Sequence, residues 1–355
     1  MNGTALPLVP AADVEAVLER SAPLWRALAG ERLLITGGTG FMGAWLLESL
    51  VHARARLGID LRAVVLSRAP EAFRLRAPAL AANPALEFVA GDVRDFGAPG
   101  GAFGAVIHAA TDTRADAERD DPAGLAASIV DGTRRVLDCA AQAGAARFLY
   151  LSSGAVYGAQ PPDLAGLPEE HCAVSEARTV GTTYADAKRD AEALCVAAAD
   201  GALQPTIARC FAFVGAQLPL DGHFAVGNFL RDAAEGRGIE VLSDGRPVRS
   251  YLHGIDLTVW LLTVLLHGRA GQAYNVGSDE SVSVGELARA VAALATPPVA
   301  VLVRTPFGTG PAPRYVPSIE RARRELGLDI TIQLPDALRR TLIWAREARR
   351  SSNLH

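Results

Sequence analysis

The sequence predicts an α/β fold, a doubly wound parallel sheet followed by a smaller C-terminal α/β lobe, on three observations. The first is the stretch ERLLITGGTGFMGAW (31–45), where a short apolar run, Leu33, Leu34 and Ile35, meets three spaced glycines, Gly37, Gly40 and Gly43. The second is the pattern that follows at once: Met42, Leu46, Leu47 and Leu50 recur at helical spacing. The third is recurrence, since strand-type runs return at Ala63–Leu66, 86–96, 105–111 and Phe148–Ser152, with a long helical segment before the last. In a strand–turn–helix unit of this Rossmann kind the first glycine allows the tight turn, the second lets backbone approach a pyrophosphate, and the third lets helix and strand pack closely. The helix start then offers unpaired N–H groups and a positive dipole end. Gly37, Gly40, Phe41, Met42 and Gly43 are therefore the expected cradle of a dinucleotide.

At 355 residues the chain is long for one core, so one Rossmann unit plus a second lobe is expected. The boundaries read as a helical extension at 1–30, a dinucleotide-binding domain at 31–208, and a mainly substrate-binding lobe at 209–350 from which some segments return. Half the residues are hydrophobic, enough for a large core. A net charge of −4 with mixed signs gives no footprint for nucleic acid, and no basic run suggests a membrane surface. Cys139, Cys172, Cys195 and Cys210 show no CxxC or zinc spacing, so no metal site is expected, and buried thiols in a reducing cytoplasm are the plain reading. No apolar run reaches the length of a membrane span, and MNGTALPLVP lacks the regions of a signal peptide, so a cytoplasmic location is expected.

Residues 11–29 read as helical, with Ser21 and Pro23 marking a fresh start. The end of the second strand selects the dinucleotide: a carboxylate there holds the ribose hydroxyls of NAD, whereas arginine accommodates a 2′-phosphate. Ser67 and Arg68 occupy it, so NADP(H) is favoured over NAD(H). A third strand runs into Asp92 and Val93, and a fourth into His108, Ala109 and Ala110; His108, amid Val106, Ile107 and Ala109, reads as structural. Asp120–Gly144 reads as one long helical segment.

Tyr184 and Lys188 are four apart, so on a helix both leave the same face one turn from each other. A free phenol titrates near pH 10, and using it as a base near neutrality means moving its pKa by about three units, or about 4 kcal/mol. A neighbouring ammonium and the positive ring of an oxidised nicotinamide both stabilise the phenolate. Lys188 is expected also to bond the nicotinamide ribose. Ser153, at the end of the preceding strand, is placed to share the substrate hydroxyl.

With TGxxGxxG, the strand-terminal SSGAVYG (152–158) and TYADAKRDAEALC (183–195) in this order, the chain resembles the short-chain dehydrogenase/reductase superfamily. Beyond Arg209 the resemblance narrows to its extended branch, the NAD-dependent epimerase/dehydratase family of nucleotide-sugar enzymes, over about residues 31–345. ARCFAFVG (208–215), GHFAVGNFLRDAAEG (222–236), SDGRPVRSYLHGIDL (243–257) and AYNVGS (273–278) carry it. The resemblance implies Asp92 and Val93 against the adenine, Ala109 and Ala110 over the cofactor, Arg249 on the nucleotide diphosphate, Asn228 near phosphate or sugar, and Arg314 reaching substrate phosphate. Three departures stand out. Ile129 replaces the helix asparagine, Ala212 replaces another asparagine, and Gly154 and Ala155 stand where 4,6-dehydratases carry an Asp–Glu pair. The implied function is a nucleotide-sugar epimerase or 4-ketosugar reductase, transferring hydride at a sugar carbon, C4, with Tyr184 as acid and base. The alternatives are a nucleotide-sugar dehydratase, a short-chain reductase of a non-sugar carbonyl, and a non-catalytic NADP-sensing protein. The family also implies a homodimer through the helices at about 121–144 and 184–201.

Overall fold

A computed structural model describes residues 7–111, 117–171, 183–222, 224–306 and 308–352. Cys172 and the end of the C-terminal tail lie outside the described residues. The chain divides into two compact units: Met1–Val156, Val174–Cys210 and Thr258–Tyr274 form the first, and Tyr157–Ala173, Phe211–Leu257 and Asn275–His355 the second.

The first unit opens with α1 (Ala11–Ala27), β1 (Arg32–Thr36), α2 (Phe41–Leu57), β2 (Arg62–Ser67), α3 (Pro70–Arg76), α4 (Pro78–Ala81), β3 (Leu86–Ala90) and β4 (Ala105–His108). It continues through α5 (Ala117–Asp120), α6 (Pro122–Gln142), β5 (Arg147–Ser153), α7 (Thr183–Ala198) and β6 (Gln204–Cys210). A later strand, Ala273–Val276, completes a seven-stranded sheet beside β6, in the order of that strand, then β6, β5, β4, β1, β2, β3. The pairings among β1–β6 are parallel. Strands covered on both faces need continuous apolar runs, and Leu34, Val64, Val106, Phe148 and Ile207 are all essentially inaccessible. The strand order reverses between β1 and β4, and ligands of doubly wound sheets bind beyond the carboxyl ends of the strands at such a point.

One expectation changes. Ser21 does not cap a new helix: α1 runs unbroken through Pro23, and the Ser21 hydroxyl turns back to donate to Val17 O at 2.5 Å. Burial of Val14, Val17, Leu18 and Trp25 as α1 packs on α2 offsets the proline's cost of about 3 kcal/mol. The segment 120–144 holds one long helix as expected, α6, which starts at Pro122 because Asp121 caps it by accepting from Gly124 N at 2.9 Å, while Asp120 ends the short α5.

A buried hydrogen-bond chain ties the ends of β1 and β4. Thr36 and His108 are register partners, with Thr36 Oγ1 2.7 Å from His108 Nδ1 and His108 Nε2 3.1 Å from Thr133 Oγ1. Thr133 donates to Ile129 O at 2.6 Å, so it must accept from His108 Nε2–H. Nδ1 is then the acceptor, Thr36 donates to it, and Thr36 Oγ1 accepts from Ala110 N at 3.3 Å. Burial keeps this imidazole neutral, holding its pKa down to about 3, with the Lys188 charge acting the same way. His108 is therefore structural. A second staple joins α7 to the sheet: Glu192 accepts from Arg209 Nη2 at 2.7 Å, from Arg209 Nε at 3.0 Å, and from Ser152 Oγ at 2.5 Å.

In the second unit, short ladders carry the chain. They are β7 (Phe213–Val214), α8 (Ala225–Ala234), β8 (Ile239–Val241), β9 (Val248–Arg249), β10 (Leu252–His253), α9 (Gly254–His267), β11 (the Ala273–Val276 strand above), β12 (Val282–Ser283), α10 (Val284–Ala293), β13 (Val301–Val303), β14 (Arg314–Tyr315), α11 (Glu320–Leu326) and α12 (Leu334–Ser352). Most of α9, from Thr258 onward, and β11 up to Tyr274 fall in the first unit. Tyr157–Ala173, which the sequence reading kept with the dinucleotide domain, is held here through Asn275. That amide donates to Leu167 O and Ser318 O, accepts from the Tyr157 hydroxyl, and its backbone N–H donates to Glu169.

Glu192→Ala strands a largely buried guanidinium, and it is expected to lower the unfolding free energy by about 3–5 kcal/mol in urea titrations. His253 is also buried, its pKa held down to about 4. Unfolded imidazoles take up protons near 6.5 whereas the folded ones stay neutral, so unfolding binds protons. Stability is expected to fall as pH drops from about 6.5 towards about 4.5; equal urea midpoints at pH 7 and 4.5 would contradict this.

Candidate active site

The turn after β1 is built from backbone contacts. Gly37 sits at φ +70°, and a Cβ there would stand 2.7 Å from Ala109 C and Ala110 N, so this glycine seats the turn directly on the end of β4. A Cβ at Gly43 would meet Gly38 O at 2.2 Å, which is the close helix approach expected of the third glycine. Gly40 differs: a Cβ there would meet only Gly37 O, at 3.5 Å, so its missing side chain leaves room above the turn. Gly40 caps α2, and Phe41 and Met42 form the helix's first turn. The cradle therefore fits a dinucleotide pyrophosphate on its backbone geometry.

Around it, Ser67 Oγ lies 3.2 Å from Thr39 Oγ1 and accepts from Ala69 N. Arg68 is exposed, and its charge helps hold Asp92 ionised. A second guanidinium stands nearby: Arg76 Nη2 donates to Thr39 O at 2.6 Å, within the glycine turn. Asp92 is engaged by Arg94, whose Nε and Nη2 donate to it at 2.8 and 3.1 Å and hold its carboxyl below the usual range. Val93 is buried against Gly132 of α6. Ala109 N donates to Thr36 O at 3.1 Å, which keeps Ala109 and Ala110 at the mouth of the turn.

β5 delivers Ser153, and α7 delivers Tyr184 and Lys188. The structure brings all three together: Ser153 hydrogen-bonds the Tyr184 phenol, and Lys188 Nζ lies 5.8 Å from the Tyr184 ring centre. Glu118 on α5 accepts from Tyr184 N at 2.9 Å and pins the start of α7. Lys188 is 2% exposed and donates to Leu151 O at 2.8 Å and Thr111 Oγ1 at 2.9 Å, while its Nζ stands 4.8 Å from the centre of the Tyr150 ring. Burial raises the Tyr184 phenol to about 12 despite the Ser153 hydrogen bond, and burial lowers Lys188 to about 8. The resting phenol is thus protonated, and Lys188 by itself does not activate it.

Asn228, Arg249 and Arg314 lie in the second unit, whereas Ser153 lies in the first. β14 runs parallel to β9 with Tyr315 opposite Arg249 and Arg314 opposite Val248. Strand alternation therefore puts Arg249 on the face of Tyr315, whose ring centre is 6.0 Å from its guanidinium, and Arg314 on the other face, donating to Ala165 O. The two arginines do not converge. Asn228 donates to Gly222 O and accepts from Arg231, which is itself paired with Asp221 and Asp232.

Sequence reading missed Arg76 and Thr111, which have no motif, and it missed a signal that a count supplies. Lys188 is the only lysine in the sequence; every other cation among the 35 Lys and Arg residues is arginine. An arginine stays charged throughout the accessible pH range, whereas a buried lysine shifts its pKa readily.

The model of the NAD dependent epimerase/dehydratase family matches residues 33–277. A dTDP-glucose 4,6-dehydratase of Streptomyces griseus is 27% identical over 326 residues, covering 89% of this chain and 94% of the relative. The UDP-glucuronic acid decarboxylase 1 of Arabidopsis thaliana is 26% identical, covering 87% and 68%. Among solved structures, a dTDP-glucose 4,6-dehydratase from Streptomyces venezuelae with NAD and TYD bound superposes with a TM-score of 0.73 at 28% identity, over 90% of this chain and 98% of that one. The UDP-glucose 4-epimerase of Thermotoga maritima, at 20% identity and a TM-score of 0.73 over 90% and 99%, shares the fold. A glycine cradle at the switch point, a Ser–Tyr–Lys group beside it and a family match over most of the sequence agree: this chain is a nicotinamide-dependent enzyme of the NAD-dependent epimerase/dehydratase family, within the short-chain dehydrogenase/reductase superfamily.

Proposed function

We propose that this enzyme oxidises a nucleotide-activated sugar at C4, as the opening step of a dehydratase-type reaction. The observation that carries the reading is the convergence of Ser153, Tyr184 and Lys188. The dehydratases and decarboxylase among its relatives support the dehydratase alternative over the epimerase or reductase reading that the sequence first favoured.

Tyr184 takes the C4 hydroxyl proton and Ser153 holds the oxygen as it becomes a carbonyl. Bringing a phenol from about 12 to about 7 calls for about 7 kcal/mol. An ammonium about 4–6 Å from the developing charge contributes about 3–4 kcal/mol at an effective dielectric of about 20, which is less than this. The further positive charge, and the acceptor for the hydride, would come from a bound oxidised nicotinamide. Of the three N–H groups of Lys188, Leu151 O and Thr111 Oγ1 engage two, which leaves one for the cofactor ribose.

A second reading, epimerase or 4-ketosugar reductase, is favoured by one observation. Removing water across C5 and C6 needs a base for the C5 proton and an acid for the departing hydroxyl, and Gly154 and Ala155, in the turn after β5, offer neither. NAD use is supported by the neighbours solved with it. A preference for NADP(H) is the finer proposal, resting on Ser67, Arg68 and Arg76 as hydroxyl and guanidinium partners for a 2′-phosphate. By the family resemblance Arg249, Asn228 and Arg314 serve the substrate's nucleotide and sugar, while Asp92, Val93, Ala109 and Ala110 serve the cofactor.

Purified enzyme is to be incubated with dTDP- and UDP-hexoses, UDP-glucuronate and 4-ketosugars, with NAD or NADP in either redox state, following 340 nm absorbance and product NMR. A 4-keto-6-deoxy product without net cofactor consumption is expected. A stereoisomer, or stoichiometric NADPH consumption, would replace that reading with the second one. Tyr184→Phe is expected to lower turnover by about 10²–10⁴-fold with dinucleotide binding retained. The dimer is a further proposal: α6 and α7 pack on each other, and Val196 on α7 leaves an apolar side chain half exposed. Sedimentation showing only monomer at micromolar concentration would reject it.

A further inference from the structure

Lys188 is a single ammonium in a nearly closed environment, and the structure shows what holds it. Thr111 Oγ1 donates to Ala110 O at 2.8 Å, so its one proton is committed and its lone pairs are left to accept from Lys188 Nζ. The polarity of this contact is therefore fixed. Ala110 is in turn fixed, because its N–H donates to the Thr36 hydroxyl at the head of the chain through His108 and Thr133 to Ile129 O. The helix position where the resemblance led one to expect an asparagine carries Ile129, which is buried and provides only its backbone carbonyl to this chain.

We propose that Thr111 is the positioning residue for Lys188, its hydroxyl fixing where the ammonium sits and helping it remain charged beside Tyr184. The proposal rests on the reading that Lys188 serves Tyr184. Charged and titratable groups face Lys188 from each element around it: Tyr184, Glu192 and Cys195 from α7, Cys210 from β6, Tyr150 from β5 and His108 from β4. Glu192 and the two thiols favour the ammonium, and burial opposes it strongly enough to bring the group to about 8. An accepting hydroxyl is then one of few neutral groups that stabilise the charge. Valine at 111 keeps the shape and removes the lone pairs, and serine keeps the lone pairs and removes the methyl.

The sole lysine makes the test direct, since protein labelled with [13C,15N]lysine gives one ε-CH₂ resonance. Its pH titration is to be recorded for wild type, Thr111→Val and Thr111→Ser, with urea midpoints confirming that each variant is folded. Thr111→Val is expected to lower the lysine pKa by about one unit or more, and Thr111→Ser to restore it. On any turned-over substrate, Thr111→Val should raise the pH of half-maximal kcat, because a less charged Lys188 stabilises the phenolate less. Should Thr111→Val not fold, Thr111→Ala carries the same expectation. A wild-type titration in the valine or alanine variant overturns the proposal, as does a serine variant displaced as far as valine. The titration needs no substrate, so a shifted resonance in an enzyme inactive on every nucleotide sugar refutes the substrate reading alone. An unshifted resonance in an active enzyme refutes this proposal alone.

Discussion

Keeping one amine charged inside a protein is the constraint on which this active site depends. Desolvation of an isolated ammonium costs more than any single contact returns, so a buried lysine either neutralises or is surrounded by acceptors. Here the surroundings come from the ends of two strands and the middle of one helix. The Leu151 carbonyl is available because β4 pairs with β5 only as far as Tyr150, and the Thr111 hydroxyl because β4 has just ended. The Tyr150 ring presents its face, a weaker partner. None of these three partners is itself charged, and Glu192, whose charge also favours the ammonium, is bonded to Arg209 and Ser152.

That economy explains why the polar interior is arranged as two separate systems. The Arg209–Glu192–Ser152 group satisfies its own charges and anchors α7, one turn beyond Lys188. The Thr36–His108–Thr133 chain is neutral and runs in one direction from amide to carbonyl, so it orders the end of β4 without adding charge. A histidine suits this task because one ring nitrogen donates while the other accepts, and burial removes the option of a second proton. The catalytic pair is thereby set beside an imidazole that burial keeps neutral, its pKa held down to about 3.

Much of this was legible in the sequence, for reasons that differ by residue. The glycine turn and the Tyr184–Lys188 spacing are local, so periodicity and the demands of backbone geometry expose them. Ser153 follows from its place in SSGAVYG, directly after the strand read at Phe148–Ser152. Thr111 and Arg76 were invisible because each acts through a contact across the fold, at sequence distances of 77 and 37. The continuous α1 was misread because Ser21 and Pro23 carry a true local signal for a start, and burial of Trp25 overrides it. Arg249 and Arg314 look like a pair in the sequence, and only the register of β9 on β14 shows that they face apart.

The glycine turn also governs which lesions the protein can survive. At Gly37 and Gly43 the atoms that a methyl group would strike belong to the main chain of Ala109, Ala110 and Gly38, not to side chains. A tight side-chain contact can be relieved by shrinking the neighbour, but the main chain has no smaller version of itself. Genetic suppression of an alanine at either position is therefore closed at those contacts, and such alleles should revert only at the mutated codon.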